Sequence, residues 1–350
     1  MQTMTKLGPL GVAVPLAILA SLAWMLNAAS APPAPPTPFP TELISTAAIN
    51  PKTFGALGDG IHDDSDAVAA AIALCVSRGT IQGGLIERCP PIFFPNGVYK
   101  ITRPRALTPV CPPNKSLDGF TLIGESYKGV VIKYVNPDGW LFYDVDAARS
   151  VVMQNLVFSG SGGATATVDG HLLYLAGKVG GRVFDLRLKD VDLINAKELI
   201  RFEGDQLTSE NRFDNVYLNV PAGCTGITWN NPQSVNHWFR NLNIEGAGTF
   251  FNIMAGGSIH IDNLCAELFN GSLLVQVGPP SSKLGLNNDG IFISGARTEM
   301  FGNAQLVNNT VGYTVFFRDS NFATTDNPRL PRVTGRAIFD FSCVAPPHSQ

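Results

Sequence analysis

One phrase recurs along the chain from residue 150 onward and constrains the fold more than any other feature. It consists of an alternating apolar stretch, then Asn or Asp, then an apolar–x–apolar triplet that often ends in Gly. Six copies are present: VVMQNLVFSG (151–160), RVFDLRL (182–188), RFDNVYLNV (212–220), WFRNLNIEG (238–246), IHIDNLCAE (259–267) and IFISGARTE (291–299). Their aligned positions are Leu156, Leu186, Val216, Leu242, Leu264 and Ala296. Repeats of 20–50 residues made of short alternating stretches predict a solenoid whose coils stack on one another.

The Asn or Asp inside each copy has a physical role at a sharp bend. Five positions are aligned in this way: Asn155, Asp185, Asn215, Asn241 and Asn263. Asn tolerates left-handed backbone, and stacked side-chain amides can hydrogen-bond one another. We therefore predict a structural ladder within an all-β, single-stranded right-handed parallel β-helix that extends over residues 50–345.

The N-terminal residues have a different composition from the rest of the chain. Lys6 is the only charge before Glu42, and residues 7–29 are nearly all apolar. This pattern predicts that residues 1–31 are a cleaved signal peptide or a retained signal anchor. Residues 32–49, which begin PPAPPTPFP, are predicted to be a stiff Pro-rich linker. The protein is accordingly expected to be secreted or in the cell envelope, with membrane contact only if the segment is retained.

Charge and cysteine content exclude some classes of partner and site. The formal net charge is −3, so the chain has no broad basic surface for nucleic acid. No pair among the six cysteines has CxxC spacing, which argues against a zinc site. Cys75, Cys89 and Cys111 lie close together in sequence, and we expect one local disulfide there, with buried thiols as the alternative.

Residues 53–102 have their own signature. Three glycines lie in TFGALGDG, and Asp63, Asp64 or Ser65 can cap the alanine-rich helix that follows near residues 64–77. PPIFFPNGVYKIT (90–102) then predicts a strand, a Pro-Asn-Gly turn and a second strand paired with the first.

The phrase FGALGDGIHDDSDAVAAAI followed by IFFPNGVYKI resembles the N-terminal segment of the pectate-lyase-like β-helix proteins. These include rhamnogalacturonase/epimerase-like and glycoside hydrolase family 28-related proteins, and many phage tailspikes. The resemblance implies that residues 59–76 cap the open end of the core, that Asp63 and Asp64 are structural, and that the ligand is a polysaccharide. The NTD, GHG and RIK motifs of polygalacturonases are absent, and Arg329-Leu-Pro-Arg332 falls short of the RxPxxR element of pectate lyases. The reaction therefore stays open.

Alternation along the strands predicts a first candidate catalytic site. If Leu242 and Ile244 point inward, Glu245 points outward, and the same offset selects Glu267 and Glu299 on the next coils. The three carboxylates would form a column about 5 Å apart at the backbone. Like charges at that distance raise at least one pKa and can supply an acid and a base together. A solvated acidic face or a Ca²⁺ site are the alternatives, and no other cofactor is expected.

A second candidate site lies on the strand that follows each wide turn. Glu203 and Asp205 could form its acid pair. Outward residues on these strands are candidates for substrate binding: Tyr174, Arg201, Asn230, Asn252 and Gln276. A polar surface flanked by aromatic rings suits hydroxyl-rich ligands, and in the family that the chain resembles the sugar groove commonly follows this strand.

Together these features predict an enzyme that cleaves the glycosidic bonds of an extracellular polysaccharide, as a hydrolase or a lyase. The polymer could contain uronates. A non-catalytic polysaccharide-binding or adhesion β-helix and a uronate epimerase remain as alternatives, and the oligomeric state is open.

Overall fold

The computed structural model describes residues 48–145, 148–162, 170–177, 185–278, 290–311, 313–324 and 332–340. Within these ranges the chain forms three β-sheets, a 3₁₀-helix (Pro51–Phe54) and one α-helix, α1 (Ser65–Arg78). The predicted signal segment, most of the predicted linker and Cys343 lie outside the described residues.

Two of the sheets are long and parallel. The long sheet contains β1 (Asp59–Asp63), β4 (Ile92–Phe94), β5 (Gly97–Ile101), β7 (Thr121–Gly124), β8 (Val130–Tyr134), β11 (Val152–Ser159), β13 (Arg187–Ile194), β15 (Asn211–Val220), β17 (His237–Gly246), β19 (Ile259–Leu268), β21 (Ile291–Ser294), β22 (Arg297–Met300), β24 (Val315–Arg318), β25 (Asn321–Thr324) and β27 (Ile338–Phe339). The eight-stranded sheet contains β9 (Trp140–Val145), β12 (His171–Gly177), β14 (Glu198–Gly204), β16 (Thr225–Asn230), β18 (Thr249–Ala255), β20 (Leu273–Val277), β23 (Gln305–Asn309) and β26 (Val333–Gly335). A small third sheet contains β2 (Thr80–Gln82), β3 (Leu85–Glu87), β6 (Ser116–Asp118) and β10 (Ala148–Arg149).

Strands of consecutive coils pair in parallel, which confirms the predicted β-helix. The chain alternates between the two long sheets, so that β14, β15, β16 and β17 belong to them in turn. Alternate residues of each strand point into the space between the sheets. Leu242 and Ile244 are buried there, as the alternation predicts, whereas Asn243 is exposed.

The core between the sheets is rich in stacked aromatic rings. Phe213 and Phe239 occupy paired positions on β15 and β17, and their ring centroids are 4.1 Å apart and almost parallel. Trp229 is fully buried beside them. Like residues on neighbouring coils therefore stabilise the stack through cross-strand packing.

The Asn ladder is present, with one position corrected. Asn155, Asn215, Asn241 and Asn263 all have positive φ. The Nδ2 of Asn263 donates to Oδ1 of Asn241 at 2.8 Å. The sequence alignment of the second copy is wrong, because Val191 and not Leu186 pairs with both Leu156 and Val216. Asp190 therefore takes the place predicted for Asp185, and its carboxylate accepts a hydrogen bond from Asn215 at 2.6 Å.

Asp185 belongs to another row of bends, located where each long-sheet strand begins. It also has a positive φ, as do Glu210, Asn236 and Ser258 on the following coils. Asn236 donates to the carboxylate of Glu210 at 2.7 Å, so this row also has a cross-coil contact. Polar residues with left-handed backbone therefore occur in two rows of bends. The sequence alignment assigned Asp185 to the wrong one of these rows.

The ladder allows a direct stability test. Asn241 has φ 55°, where a side chain other than Asn or Asp is strained. We expect Asn241→Ala to lower the free energy of unfolding by roughly 1–2 kcal/mol, because it adds backbone strain and removes the acceptor for Asn263. Asn241→Gly, which relieves the strain, should lose less. Denaturant unfolding of both variants measures this, and an equal loss in the two would contradict a backbone origin.

The segment before the first coils forms the predicted cap. Helix α1 buries Val68, Ala71 and Ile72 against the core. The carboxylate of Asp64 is buried and accepts hydrogen bonds from the backbone N–H groups of Leu57 and Gly58. Asp63 accepts hydrogen bonds from Ser65 and Thr102. The predicted structural role of the two aspartates is therefore confirmed.

Two expectations for this region are wrong. β4 and β5 do not pair with each other, since β4 pairs with β7 and β5 with β1 and β8, all in parallel. Pro-Asn-Gly thus bends the chain within a coil and does not reverse it. No disulfide is formed among the five cysteines that the structure describes. Cys75 is buried, and burial raises the pKa of its thiol, with a further contribution from Cys89.

Candidate functional site

The outer face of the eight-stranded sheet brings the predicted substrate-binding residues together. One row of paired positions crosses seven of its strands: Tyr143, Tyr174, Arg201, Thr228, Asn252, Gln276 and Asn308. Glu203 and Asn230 pair in a parallel row beside it. Phe202 and Trp229 are buried in the core, so strand alternation directs the residues of these rows to the opposite face. Thr228 is completely covered there, whereas the others are partly exposed.

Aromatic rings form one end of this face. The rings of Tyr143 and Tyr174 are stacked with centroids 4.6 Å apart, and the ring of Trp140 lies 5.2 Å from that of Tyr174. The guanidinium carbon of Arg105 lies 4.1 Å from the centroid of the Tyr143 ring. Sequence reasoning found Tyr174 but missed Tyr143, which pairs with it on β9. It also missed Trp140, which pairs with His171, so strand alternation by itself does not place the Trp140 ring beside Tyr174.

A charged cluster lies on β14, the strand next to the one that carries Tyr174. The Nε of Arg201 donates to both carboxylate oxygens of Glu198 at 3.1 Å, and its Nη1 donates to Glu203 at 3.4 Å. The side chain of Glu198 is only 7% exposed, whereas that of Glu203 is 21% and that of Arg201 33% exposed. Glu203 is therefore the carboxylate of the pair that a ligand can reach.

Glu198 stays ionised inside this cluster. Burial by itself would raise its pKa, but contacts with His171 and Arg201 outweigh burial and hold the pKa below its ordinary value. The Nδ1 of His171 lies 3.7 Å from the Glu198 carboxylate. Glu198 thus fixes Arg201 from beneath, and Arg201 in turn holds Glu203.

Amide side chains continue the face beyond the charged cluster. Asn230 donates to Oε1 of Glu203 at 2.6 Å, and Asn308 donates to Gln276 at 2.9 Å. Asp205, predicted as the partner of Glu203, lies on the exposed turn beyond Gly204, where the chain bends with φ 100°. The partner that the structure brings to Glu203 is Arg201, which also contacts the second carboxylate, Glu198.

A buried polar network lies behind Glu203. The Nδ2 of Asn231 donates to the backbone oxygens of Glu203 and Gln206. Nearby, the ring of His237 is bonded to Asn211 at 3.1 Å and to Ser234 at 3.0 Å. Burial lowers the pKa of His237 to about 3, so this histidine is neutral in the folded protein. The network fixes the start of the turn that follows Glu203.

This histidine predicts a pH dependence of stability. Its pKa is about 3 when folded and ordinarily 6.5, so the unfolded chain binds the proton first. The associated stability is complete above pH 6.5 and is lost as the pH falls towards 3. Below pH 6.5 we expect the free energy of unfolding to fall with a slope that steepens to about 1.4 kcal/mol per pH unit near pH 5 from this group. His237→Gln should remove this dependence of the unfolding free energy on pH, whereas His260→Gln, at an outward-facing position, should not. Urea titrations at each pH measure the slope. Equal slopes in the native protein and in His237→Gln would disprove the assignment.

The predicted acidic column has the expected geometry. Glu245, Glu267 and Glu299 occupy paired positions on consecutive coils of the long sheet. Two of these carboxylates have partners of their own, since Tyr217 donates to Glu245 at 2.6 Å and Arg297 donates to Glu299 at 3.1 Å. Their catalytic role stays a prediction, because nothing in this geometry distinguishes it from a solvated acidic face.

Within the described parts of the chain, no group of three or more His, Cys, Asp or Glu side chains is placed to hold a metal ion. None of the helices in those parts is long and apolar enough to cross a membrane, and residues 7–29 lie outside them.

Similarity to known proteins agrees with this architecture. Residues 48–139 match the family described as rhamnogalacturonase A/epimerase, pectate lyase-like. Over 132 residues, or 38% of this chain, the sequence is 33% identical to the mannuronan C5-epimerases AlgE1 and AlgE5 of Azotobacter vinelandii. The matched part spans 8% and 12% of those two proteins.

A solved structure extends the similarity to the coils. The N-terminal fragment of gene product 12 of bacteriophage Phi29 superimposes with a TM-score of 0.56 and 14% identity, over 94% of this chain and 60% of that one. At this identity the likeness concerns the fold alone. The stacked parallel coils therefore have a parallel β-helix fold, and residues 48–139 are similar to the rhamnogalacturonase A/epimerase, pectate lyase-like family.

Proposed function

We propose that the protein acts on a polysaccharide bound across the outer face of the eight-stranded sheet, and that it cleaves glycosidic bonds beside Glu203. The observation that carries this proposal is the contact of one guanidinium, Arg201, with the carboxylates of Glu198 and Glu203 next to stacked tyrosines. Aromatic rings followed by charged and amide groups form the mixture that binds hydroxyl-rich ligands.

The cluster favours removal of a proton over hydrolysis. Glu203 accepts hydrogen bonds from Arg201 and Asn230, which orient its carboxylate on the outer face as a candidate base. Glycoside hydrolysis requires two reachable carboxyl groups, one of them protonated. Glu198 is buried and ionised and does not meet that need. Elimination on a uronate sugar requires only a base for the proton next to its carboxylate and a cation near that carboxylate.

In this mechanism each residue has one task. Glu203 removes the proton at C5 of a uronate residue, the bond from C4 to the glycosidic oxygen breaks as a double bond forms between C4 and C5, and the leaving oxygen takes up a proton from water. The exposed part of Arg201 faces the uronate carboxylate, while Glu198 keeps the guanidinium in position. Tyr143 and Tyr174 support an adjacent sugar ring.

Epimerisation of the same polymer is the second candidate. It begins with the same proton removal and returns a proton to the opposite face of the sugar. The 33% identity with mannuronan C5-epimerases favours it, although the match covers about a tenth of those proteins. We also propose export from the cytoplasm, on the basis of Lys6 and the apolar residues 7–29.

The reaction is tested by incubating the purified full-length chain with mannuronan, polygalacturonate and starch, each with Ca²⁺ and with a chelator. We expect new reducing ends together with the ultraviolet absorbance of an unsaturated uronate. New reducing ends without that absorbance would replace elimination by hydrolysis. Exchange of the C5 proton in deuterated water without shortening of the chain would identify an epimerase. No change in any polymer would overturn catalysis.

A further inference from the structure

A row of aromatic rings lies on the outer face of the long sheet, apart from the site proposed above. Trp238, His260, Phe292 and Phe316 occupy paired positions on β17, β19, β21 and β24. Successive ring centroids are 6.5, 5.3 and 6.2 Å apart. Trp238 is 39% exposed and the other three rings are partly exposed. These four rings point away from the core, so packing of the core does not account for the row.

A polar row runs beside the rings, two residues further along each strand. Asp262, Ser294 and Arg318 occupy it on consecutive coils, and Ser294 donates to the Asp262 carboxylate at 3.0 Å. A cleft of about 260 Å³ lies between the two rows. It is lined by His260, Asp262, Phe292, Ser294, Phe316 and Arg318, with Ile261 and Ile293 below them.

The chemistry of the cleft selects its ligand. Protein–protein interfaces are depleted of charged residues at their centres, whereas this cleft has a carboxylate and a guanidinium in its wall. A nucleic acid would be repelled by Asp262 and by Asp319, which pairs with Arg318 at 3.4 Å. A sugar ring matches both rows, since its C–H face packs on aromatic rings and its hydroxyls can both donate to a carboxylate and accept from a guanidinium.

The spacing also fits a saccharide. Consecutive coils are separated by about 4.8 Å, so Asp262 and Arg318 lie roughly 10 Å apart along the axis. That length and the cleft volume suit one or two sugar rings. We infer that this cleft is a second saccharide-binding site, which holds a non-reacting stretch of the polysaccharide. The inference rests on the proposed function only in taking the same polymer as its ligand.

Such a site acts on affinity and leaves the chemistry unchanged. A long chain that occupies both the cleft and the reactive face binds more tightly than a short one, because the second contact is intramolecular once the first has formed. Loss of the cleft should therefore raise KM for the polymer and leave kcat and the turnover of short oligosaccharides unchanged.

The test uses the full-length chain and affinity electrophoresis in gels that contain mannuronan, polygalacturonate or starch. We expect Phe292→Ala and, separately, Asp262→Ala to weaken retardation by about tenfold in apparent Kd, as loss of a ring or an ionic hydrogen bond predicts. Phe269→Ala is the matched control, because Phe269 is 37% exposed elsewhere on the surface and packs on Phe301. Asp262 is exposed, so its variant retains the fold if Phe292→Ala does not.

The outcomes separate this inference from the proposed reaction. Retardation that depends on Phe292 or Asp262 supports the cleft, even if no polymer is converted and the proposed catalysis fails. Retardation that is equal in the native chain, in both cleft variants and in Phe269→Ala, while Tyr174→Ala abolishes it, would confine binding to the eight-stranded sheet and overturn the cleft. Absence of retardation of the native chain by all three polymers would overturn it as well.

Discussion

Glu203→Gln should lower kcat/KM on a responsive polysaccharide by about a hundredfold to ten-thousandfold, the range that a positioned general base contributes. The amide keeps the size of the side chain and an oxygen that can accept the hydrogen bond from Asn230. It cannot accept a proton at the pH of the reaction. We therefore expect the melting temperature to change little, and initial rates and thermal unfolding of the two proteins provide the measurement.

Two matched carboxylate variants decide between the candidate sites. Asp205→Asn changes an exposed acid two residues away and should retain activity. Glu267→Gln changes the central member of the acidic column on the long sheet. If Glu267→Gln were inactive and Glu203→Gln active, the catalytic site would lie on the long sheet and the assignment of Glu203 would be wrong.

Trp229→Ala should cause a large loss of stability. The Trp229 side chain is fully buried, and its ring lies 6.1 Å from that of Phe202 and 6.0 Å from that of Phe251 on the neighbouring coils. Truncation opens a cavity within three coils at once. We expect a loss of about 3–5 kcal/mol in the free energy of unfolding, measured by denaturant titration.

The matched control is Trp229→Phe. The indole Nε1 of Trp229 has no hydrogen-bond partner in the part of the chain that the structure describes. Replacement by Phe loses some packing but removes this buried donor, and the two effects partly offset one another. Its cost should therefore be much smaller than that of Trp229→Ala. Similar losses of unfolding free energy in the two variants would show that the indole nitrogen has a hydrogen-bond partner and that lost packing is not the main cause of the destabilisation.

The fold was accessible to sequence reasoning because its signals are local and repeated. Alternation placed Leu242 inward and Glu245 outward, and the Asn at each bend marked the ladder. The failure at Asp185 has a physical origin, because two rows of bends use the same left-handed conformation and a short segment fits either. The strand pairing expected across Pro-Asn-Gly is not formed, because a turn sequence does not determine whether the chain reverses direction or bends within a coil.

The candidate site was only partly accessible. Arg201 and Glu203 could be assigned to an outward face, but their contact with the buried Glu198 depends on side-chain packing that alternation does not predict. Tyr143 and Trp140 precede the clear copies of the phrase, so no repeat aligned them with Tyr174 and His171, the residues with which they pair. The network around His237 joins residues from two connecting segments on neighbouring coils, and its members are ordinary polar residues in the sequence.

Coil length varies in the connections between the two long sheets, including those that follow the strands of the eight-stranded sheet. β18 ends at Ala255 and β19 begins at Ile259, whereas β20 ends at Val277 and β21 begins only at Ile291. The closure entropy of a turn grows slowly with its length, by about 0.6 kcal/mol for each doubling. Insertions there leave the strand register intact while they reshape the rim of the face that carries Glu203. A scaffold of this kind can diversify its choice of sugar through segments that contribute little to its own folding, and those turns are the natural positions for grafting new specificity.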